Sequence, residues 1–338
     1  MELHEREFFI ARISTGYYKI KVSPDVVVYV NPLTRDEAFE ATEIFQEALM
    51  EALDTGVMSR KESYEKMLET GVWSTEEEAR VKQLEKDMEQ YKIDIYSLYF
   101  KSVSREKARQ DLRLQEREYS DLLSKKHTYD HVDAEGVANY AKLNWIIEKS
   151  TKLKDGSPYD FSHFTSHEIL QKKDRMQLSE KKIRDIARES PWTNIWATSK
   201  KTGILFREET FSLTREQQVL MAWSSIYDSI RESYEAPPDD VINDDDACDG
   251  YLIDQRRKRD KQRGQKAADE LMNVHPGAQE VFIPAETSED AKRVYELNDG
   301  GGEMIRKSRI KSLEKIKELN YSQFSDVKMR VNSERMAN

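Results

Sequence analysis

The chain has 338 residues, 38% hydrophobic and 35% charged, and 54 Lys and Arg against 64 Asp and Glu leave a net charge of −10. Charge so far above the roughly 25% of ordinary globular domains, with only 12 glycines, argues against the Gly-rich compact α/β enzyme type and favours solvated helices. The acidic balance argues against chain-wide nucleic-acid binding, and the single cysteine, Cys248, excludes an intrachain disulfide or a multi-cysteine zinc site.

No apolar run approaches the ~18 residues of a membrane span, and MELHEREFFIARI is too charged for an export signal. The expectation is an intracellular protein in a reducing compartment.

In chain order, EFFIARI, YYKIKV and VVVYV within residues 7–30 are aromatic and β-branched runs closed by turn formers, which predicts a three-stranded β-meander. A sheet this small needs a helix to cover one face. Helices follow, and five of their starts carry a capping box in which a Ser or Thr precedes Glu or Gln by three: Thr34/Glu37, Ser59/Glu62, Ser74/Glu77, Thr165/Glu168 and Thr214/Gln217. Two junctions are near copies, Leu53-Asp54-Thr55-Gly56-Val57-Met58-Ser59 and Leu68-Glu69-Thr70-Gly71-Val72-Trp73-Ser74. Each reads as a helix end closed by glycine, then a new start, and two copies fall short of a repeat fold.

Val81, Leu84, Met88, Tyr91, Ile95 and Leu98 form a coiled-coil-like seam that ends near Phe100. A second helix near 104–124, with Leu112, Tyr119 and Leu122 inward, makes an antiparallel hairpin the simplest arrangement, ahead of a short homodimeric coiled coil. Another amphipathic helix covers 133–149, and the polar stretch KDGSPYDFS marks a boundary. An aromatic-rich region follows, with helices near 165–188, 191–200 and 214–234.

Nine acidic residues and no Lys or Arg lie between Glu232 and Asp254; seven basic residues and one Asp lie between Arg256 and Lys266. The acidic half, with Pro237-Pro238, reads as loop and the basic half as helix. A Gly- and Pro-rich stretch and a polar helical tail from about 303 close the chain. The fold class expected is mainly α: an N-terminal three-stranded β-meander, helical hairpins, and a C-terminal helical region with a charged, partly flexible tail. The expected divisions are 1–150, 160–235 and 236–338.

Candidate chemistry is sparse. His127/His131 and His163/His167 are spaced by four, but the helix starts at Asp133 and Thr165 keep either pair off one continuous helix. Asp244–Gly250 resembles a calcium loop until aligned, when Ala247 falls on a ligand position and Arg256 where a bidentate glutamate is needed. P-loop, dinucleotide, nucleophile-elbow and HExxH signatures do not occur. No catalytic, metal or cofactor residue is therefore assigned, and the chain is expected not to be an enzyme. The candidate partner-binding residues are the aromatic anchors Trp192 and Trp196, the acids Asp244, Asp245, Asp246 and Asp249, and the bases Arg256, Arg257, Lys258 and Arg259.

The segments SPWTNIWATSKKTGILF and SLTREQQVLMAWSSIYDSIRESYEAPPDDVINDDDACDGYLIDQRRKR, with VNPLTRDEAFEATEIFQEALMEAL and KKHTYDHVDAEGVANYAK earlier, resemble proteins of the structural and tail-assembly gene blocks of large tailed phages. That resemblance implies a helical assembly factor or minor virion subunit in the cytoplasm of an infected bacterium. Its partners would be phage structural proteins, with no cofactor and no membrane. The runner-up expectation is a nucleic-acid accessory protein using the basic helix 256–266.

Overall fold

Helix α1 (Leu3–Thr15) opens the chain, strands β1 (Tyr18–Lys21) and β2 (Val27–Val30) follow, and β2 leads into α2 (Arg35–Asp54). These coordinates are a computed structural model that describes residues 1–206 and 212–274. The expected tail helix from about 303 and the Gly- and Pro-rich residues 275–302 before it lie outside the described residues. The chain divides into two units, Met1–Ile253 and Asp254–Asn338. The joints expected near 150–160 and 235–236 both fall within the first unit, where Ile10 and Ile13 share a core with Leu220, Tyr227, Ile242 and Cys248.

The architecture is mainly helical with one small three-stranded antiparallel sheet, ordered β1-β2-β3. One expected strand is corrected. EFFIARI is the body of α1, begun by a Glu2/Glu5 capping box and ended by Gly16 at φ 72°. Ile10 and Ile13, three apart, are its buried residues, which is helical spacing rather than strand alternation. Gln217 donates its side-chain N–H to the Ile13 carbonyl at 2.9 Å, and Arg12 pairs with Glu216 at 2.6 Å, so α1 is fixed to the rest of the unit.

The third strand, β3 (Thr151–Lys152), arrives from 120 residues downstream, pairing Thr151 with Val30 and Lys152 with Tyr29. Tyr18, Ile20, Val28 and Val30 alternate onto one buried face, and Ile147 and Ile169 from helices α6 (Ala134–Ser150) and α7 (Ser166–Met176) cover it. The need for a helical cover is met.

All five capping boxes form. At the first near-copy corner Val57 N–H reaches the Ala52 carbonyl and Gly56 N–H the Leu53 carbonyl, both 3.0 Å, a complete Schellman pair with Gly56 at φ 86°. The second corner departs from this. Trp73, not Val72, donates to the Met67 carbonyl at 3.1 Å, because the indole turns in to join Met67 and Val81 in a core cluster, fully buried.

Helices α3 (Arg60–Glu69), α4 (Thr75–Ser97) and α5 (Ser102–Lys126) follow, and α4 and α5 form the expected antiparallel hairpin. Leu84, Ile95 and Leu112 are fully buried, and Arg80–Glu118 at 2.6 Å and Lys126–Glu78 at 2.8 Å lace its far end. The helix expected over 165–188 is two, α7 and α8 (Glu180–Arg188), separated at Gln177–Ser179, where Leu178 N–H is claimed by Glu216 at 2.7 Å. Helices α9 (Trp192–Thr202), α10 (Arg215–Glu232), α11 (Asp239–Asn243) and α12 (Asp245–Val274) complete the described elements.

Candidate functional site

The acidic run expected to be a loop is instead the start of α12. Asp244 is its N-cap: its carboxylate accepts from Ala247 N–H at 3.3 Å and its carbonyl from Cys248 N–H at 2.8 Å. Asp245 and Asp246 occupy the first turn, where aspartates complement the positive end of the helix dipole. Four aspartates within six residues would still repel one another unless matched.

The match comes from three other helices. Arg109 and Arg113, four apart on α5, lie on one side; Arg184 and Arg188, four apart on α8, lie on another; α4 supplies Lys92. Arg113 meets Asp246 at 2.7 Å and Arg109 meets both Asp244 and Asp246. Arg184 reaches Asp249 at 2.8 Å and Lys92 meets the same carboxylate at 2.8 Å. Arg184 and Arg188 approach one oxygen of Asp245 at 3.1 and 3.0 Å, off the hydrogen-bonding direction, so they act on it as charges. These groups border a cleft of about 550 Å³.

The α8 arginines are interior, with side chains 7% and 5% exposed. Burial works against the Arg184 guanidinium, but Asp249, Tyr227 and Asp245 outweigh it and hold its pKa above the ordinary arginine value. Its guanidinium carbon lies over the Trp223 ring, 3.9 Å from the centroid, and Arg188 Nη1 donates to the Ile242 carbonyl at 2.9 Å. Cys248, between the paired aspartates, is buried, and burial pushes its thiol up to about 11. That is the wrong direction for a nucleophile. Chemically the arrangement is a clamp: every one of the four aspartates faces a cation, and the pairs fix the register of α12 against α4, α5 and α8.

No protein-family model, curated protein or solved structure matches this chain.

The structure thus brings Asp244, Asp245, Asp246 and Asp249 together, with arginines that the sequence reading did not single out. The signal was present as two Arg-x-x-x-Arg pairs, Arg109/Arg113 and Arg184/Arg188, each on one face of a helix. Trp192 is corrected. Its indole is fully buried and donates to Ser224 Oγ at 2.8 Å, so it presents no surface to a partner. Trp196 is partly buried and its N–H is taken by Asp228. Arg256, Arg257, Lys258 and Arg259 are exposed on α12, where Lys258 pairs with Asp254 at 2.9 Å.

The histidines lie as the capping argument placed them. His127 caps α5 and contacts Asp130 at 2.8 Å, while His131 precedes the Asp133 N-cap of α6; His163 precedes Thr165, and His167 sits in the first turn of α7 beside Gln171. Among the described residues no three His, Cys, Asp or Glu converge as a cation site, and no helix is long and apolar enough to cross a membrane.

A second surface feature was missed entirely. Helix α2 packs chiefly against α6, through buried alanines on both: Ala41 and Ala52, Ala134 and Ala138. Its opposite side leaves Phe39 67% exposed near the start and Met50 58% exposed near the end, with Leu53 one turn beyond Met50 and the polar Thr42, Glu43 and Gln46 between. Alongside, Asp36, Glu40, Glu43, Glu47, Glu51 and Asp54, spaced by three or four, run the length of the helix as an exposed acidic ladder, in which Glu40 pairs with Lys149 at 3.4 Å. The helix shows no such cationic line, since Arg35 is its one basic residue.

Proposed function

We propose that this protein is a non-catalytic binding factor whose α2 surface docks a basic, amphipathic segment of another protein. The observation that carries the reading is the exposed Phe39, Met50 and Leu53 beside an acidic ladder, on a helix that spends its buried side on α6 alone among its principal partners. An apolar centre gives affinity by area removed from water, and the ladder selects a basic partner and speeds encounter. The internally neutralised α12 clamp supports it too, since its charges are committed to holding helices together. The resemblance to phage tail-assembly proteins supplies the setting: assembly of a virion in the bacterial cytoplasm, as assembly factor or minor subunit.

A photo-crosslinking residue at position 39 or 50 tests this in infected or expressing cells. The expected result is one discrete adduct with a protein whose crosslinked peptide is basic, lost in Met50→Asp and weakened by salt. Adducts absent at both positions, or equally frequent from a control position at Lys61, count against it.

The exposure of Arg256, Arg257, Lys258 and Arg259 favours one second reading, phosphate contact by α12. Neutralising those four should flatten a salt-dependent binding curve for duplex DNA; if the intact protein has no such curve, that reading fails.

A further inference from the structure

A cavity of about 260 Å³ in the first unit has Val30, Leu33 and Ile146 in its apolar wall, and Tyr18, Lys173 and Arg215 among its polar groups. No Asp or Glu is among the described residues that line it. Lys173, on α7, is half-buried, and burial draws its amine below the ordinary lysine range against the opposing pull of Asp174. Among the described residues its ammonium has no hydrogen-bond or ion-pair partner; it lies 5.9 Å from the centroid of the Tyr18 ring. Arg215, the first residue of α10, likewise has none among the described residues.

The neighbouring carboxylates do not make good the deficit. Glu216 is committed to Arg12 at 2.6 Å and to Leu178 N–H at 2.7 Å, and Asp174, exposed, accepts from Gln177 at 3.3 Å. The contrast with the α12 clamp is direct, because there every buried cation has its counter-charge. A cation held part-way out of water with none is a cost to folding, and a bound anion removes that cost.

We propose that this cavity binds a small organic monocarboxylate, with its carboxylate between Lys173 and Arg215 and its apolar body against Val30, Leu33 and Ile146. The volume lies just under the roughly 300–1,000 Å³ of drug-sized ligand sites, which fits a molecule of about ten heavy atoms. A bare inorganic oxyanion would meet the charges and leave the apolar wall unfilled. The α2 docking surface is a separate feature, and neither reading depends on the other.

Calorimetric titration of the full chain with benzoate, and with inorganic phosphate for comparison, tests the proposal. Benzoate is expected to bind saturably, one per chain, with phosphate much weaker. Lys173→Met and Arg215→Gln should each weaken benzoate binding by about tenfold or more, the scale of one charge-assisted hydrogen bond. Ligand-free Lys173→Met should melt no lower than the parent, since it removes an unmatched charge, and this separates loss of the site from loss of the fold. Should Lys173→Met not fold, Arg215→Gln, at an exposed position, decides alone. The proposal is overturned by no saturable benzoate binding, by phosphate binding in preference to benzoate, or by benzoate binding that survives the substitutions unchanged.

Discussion

Gly250 of α12 and Lys92 of α4 meet backbone to backbone: a β-carbon on Gly250 would stand 1.9 Å from the Lys92 carbonyl oxygen and 2.6 Å from its carbon. The obstacle is main chain in the middle of a helix, so no rotamer change relieves it. Gly250→Ala is therefore expected to cost about 3 kcal/mol or more, the upper end of overpacking effects, by prising α12 from α4. It should also loosen the Lys92–Asp249 pair one residue away. Thermal unfolding of the purified variant checks this; a melting temperature within a degree of the parent would show that the helices do not cross as described.

The clamp makes a quantitative contrast with the surface ion pairs. Removing Arg184 strips Asp249 of a partner in a site where the guanidinium is 7% exposed, so Arg184→Met should cost about 3 kcal/mol. In a double-mutant cycle with Asp249→Asn the coupling should be about 1–3 kcal/mol. The same cycle on Arg80–Glu118, whose side chains are both more than 40% exposed, should give a much smaller coupling. Urea unfolding of the two sets of variants decides whether burial, rather than geometry alone, sets the difference.

Trp192 and Phe39 separate core from surface. Trp192→Ala empties a fully buried position and orphans the Ser224 contact, at an expected cost of about 3–5 kcal/mol. Phe39→Ser, by contrast, should change stability by no more than about 0.5 kcal/mol and should show itself only in partner capture. If Phe39→Ser unfolds the protein, the exposed α2 side chains are structural and the docking reading loses its basis.

Acid sensitivity follows from the α2 capping box. Burial pushes the Glu37 carboxyl up, but hydrogen bonds from the Thr34 N–H and hydroxyl, with Lys152 and Lys149 nearby, prevail and hold it below 4.5. A depressed folded pKa gives stability that is fully present above about 4.5 and is lost as pH falls through the folded value. Glu37→Gln, which keeps a capping-box acceptor, should cost under about 1 kcal/mol at pH 7 and make the slope of stability between pH 5 and pH 3 shallower. Denaturation at those pH values measures both.

Cys248 supplies a probe of opening. With its thiol buried and raised to about 11, it should react with a disulfide reagent at pH 8 only as fast as the surrounding helices open, and at once in denaturant. The raised folded value also means that native stability is favoured below the ordinary thiol pKa of 9.0 and erodes as pH climbs toward about 11. Fast labelling of the native protein would contradict the burial.

What the sequence determined by itself was local. A Ser or Thr three residues before Glu or Gln starts a helix because both partners of that hydrogen-bond exchange lie within one turn, and all five boxes form. The corner at Gly56 and the α4–α5 hairpin are legible for the same reason: glycine's left-handed φ and a seam of 3–4 spacing need no distant neighbour. The tertiary structure decided everything that required two far segments to meet. EFFIARI suits strand or helix by composition, and it is helix because Ile10 and Ile13 pack on α10 and its neighbours, while the third strand comes from Thr151–Lys152. The aspartates of 244–249 look like solvated loop until Arg109, Arg113, Arg184 and Arg188 arrive from α5 and α8. Coulomb attraction in a partly dry site then makes a helix start stable where water alone would have left a repelling run. Spacing along a chain encodes hydrogen bonds made within a turn; it does not encode which distant charge or apolar face will be there to complete them.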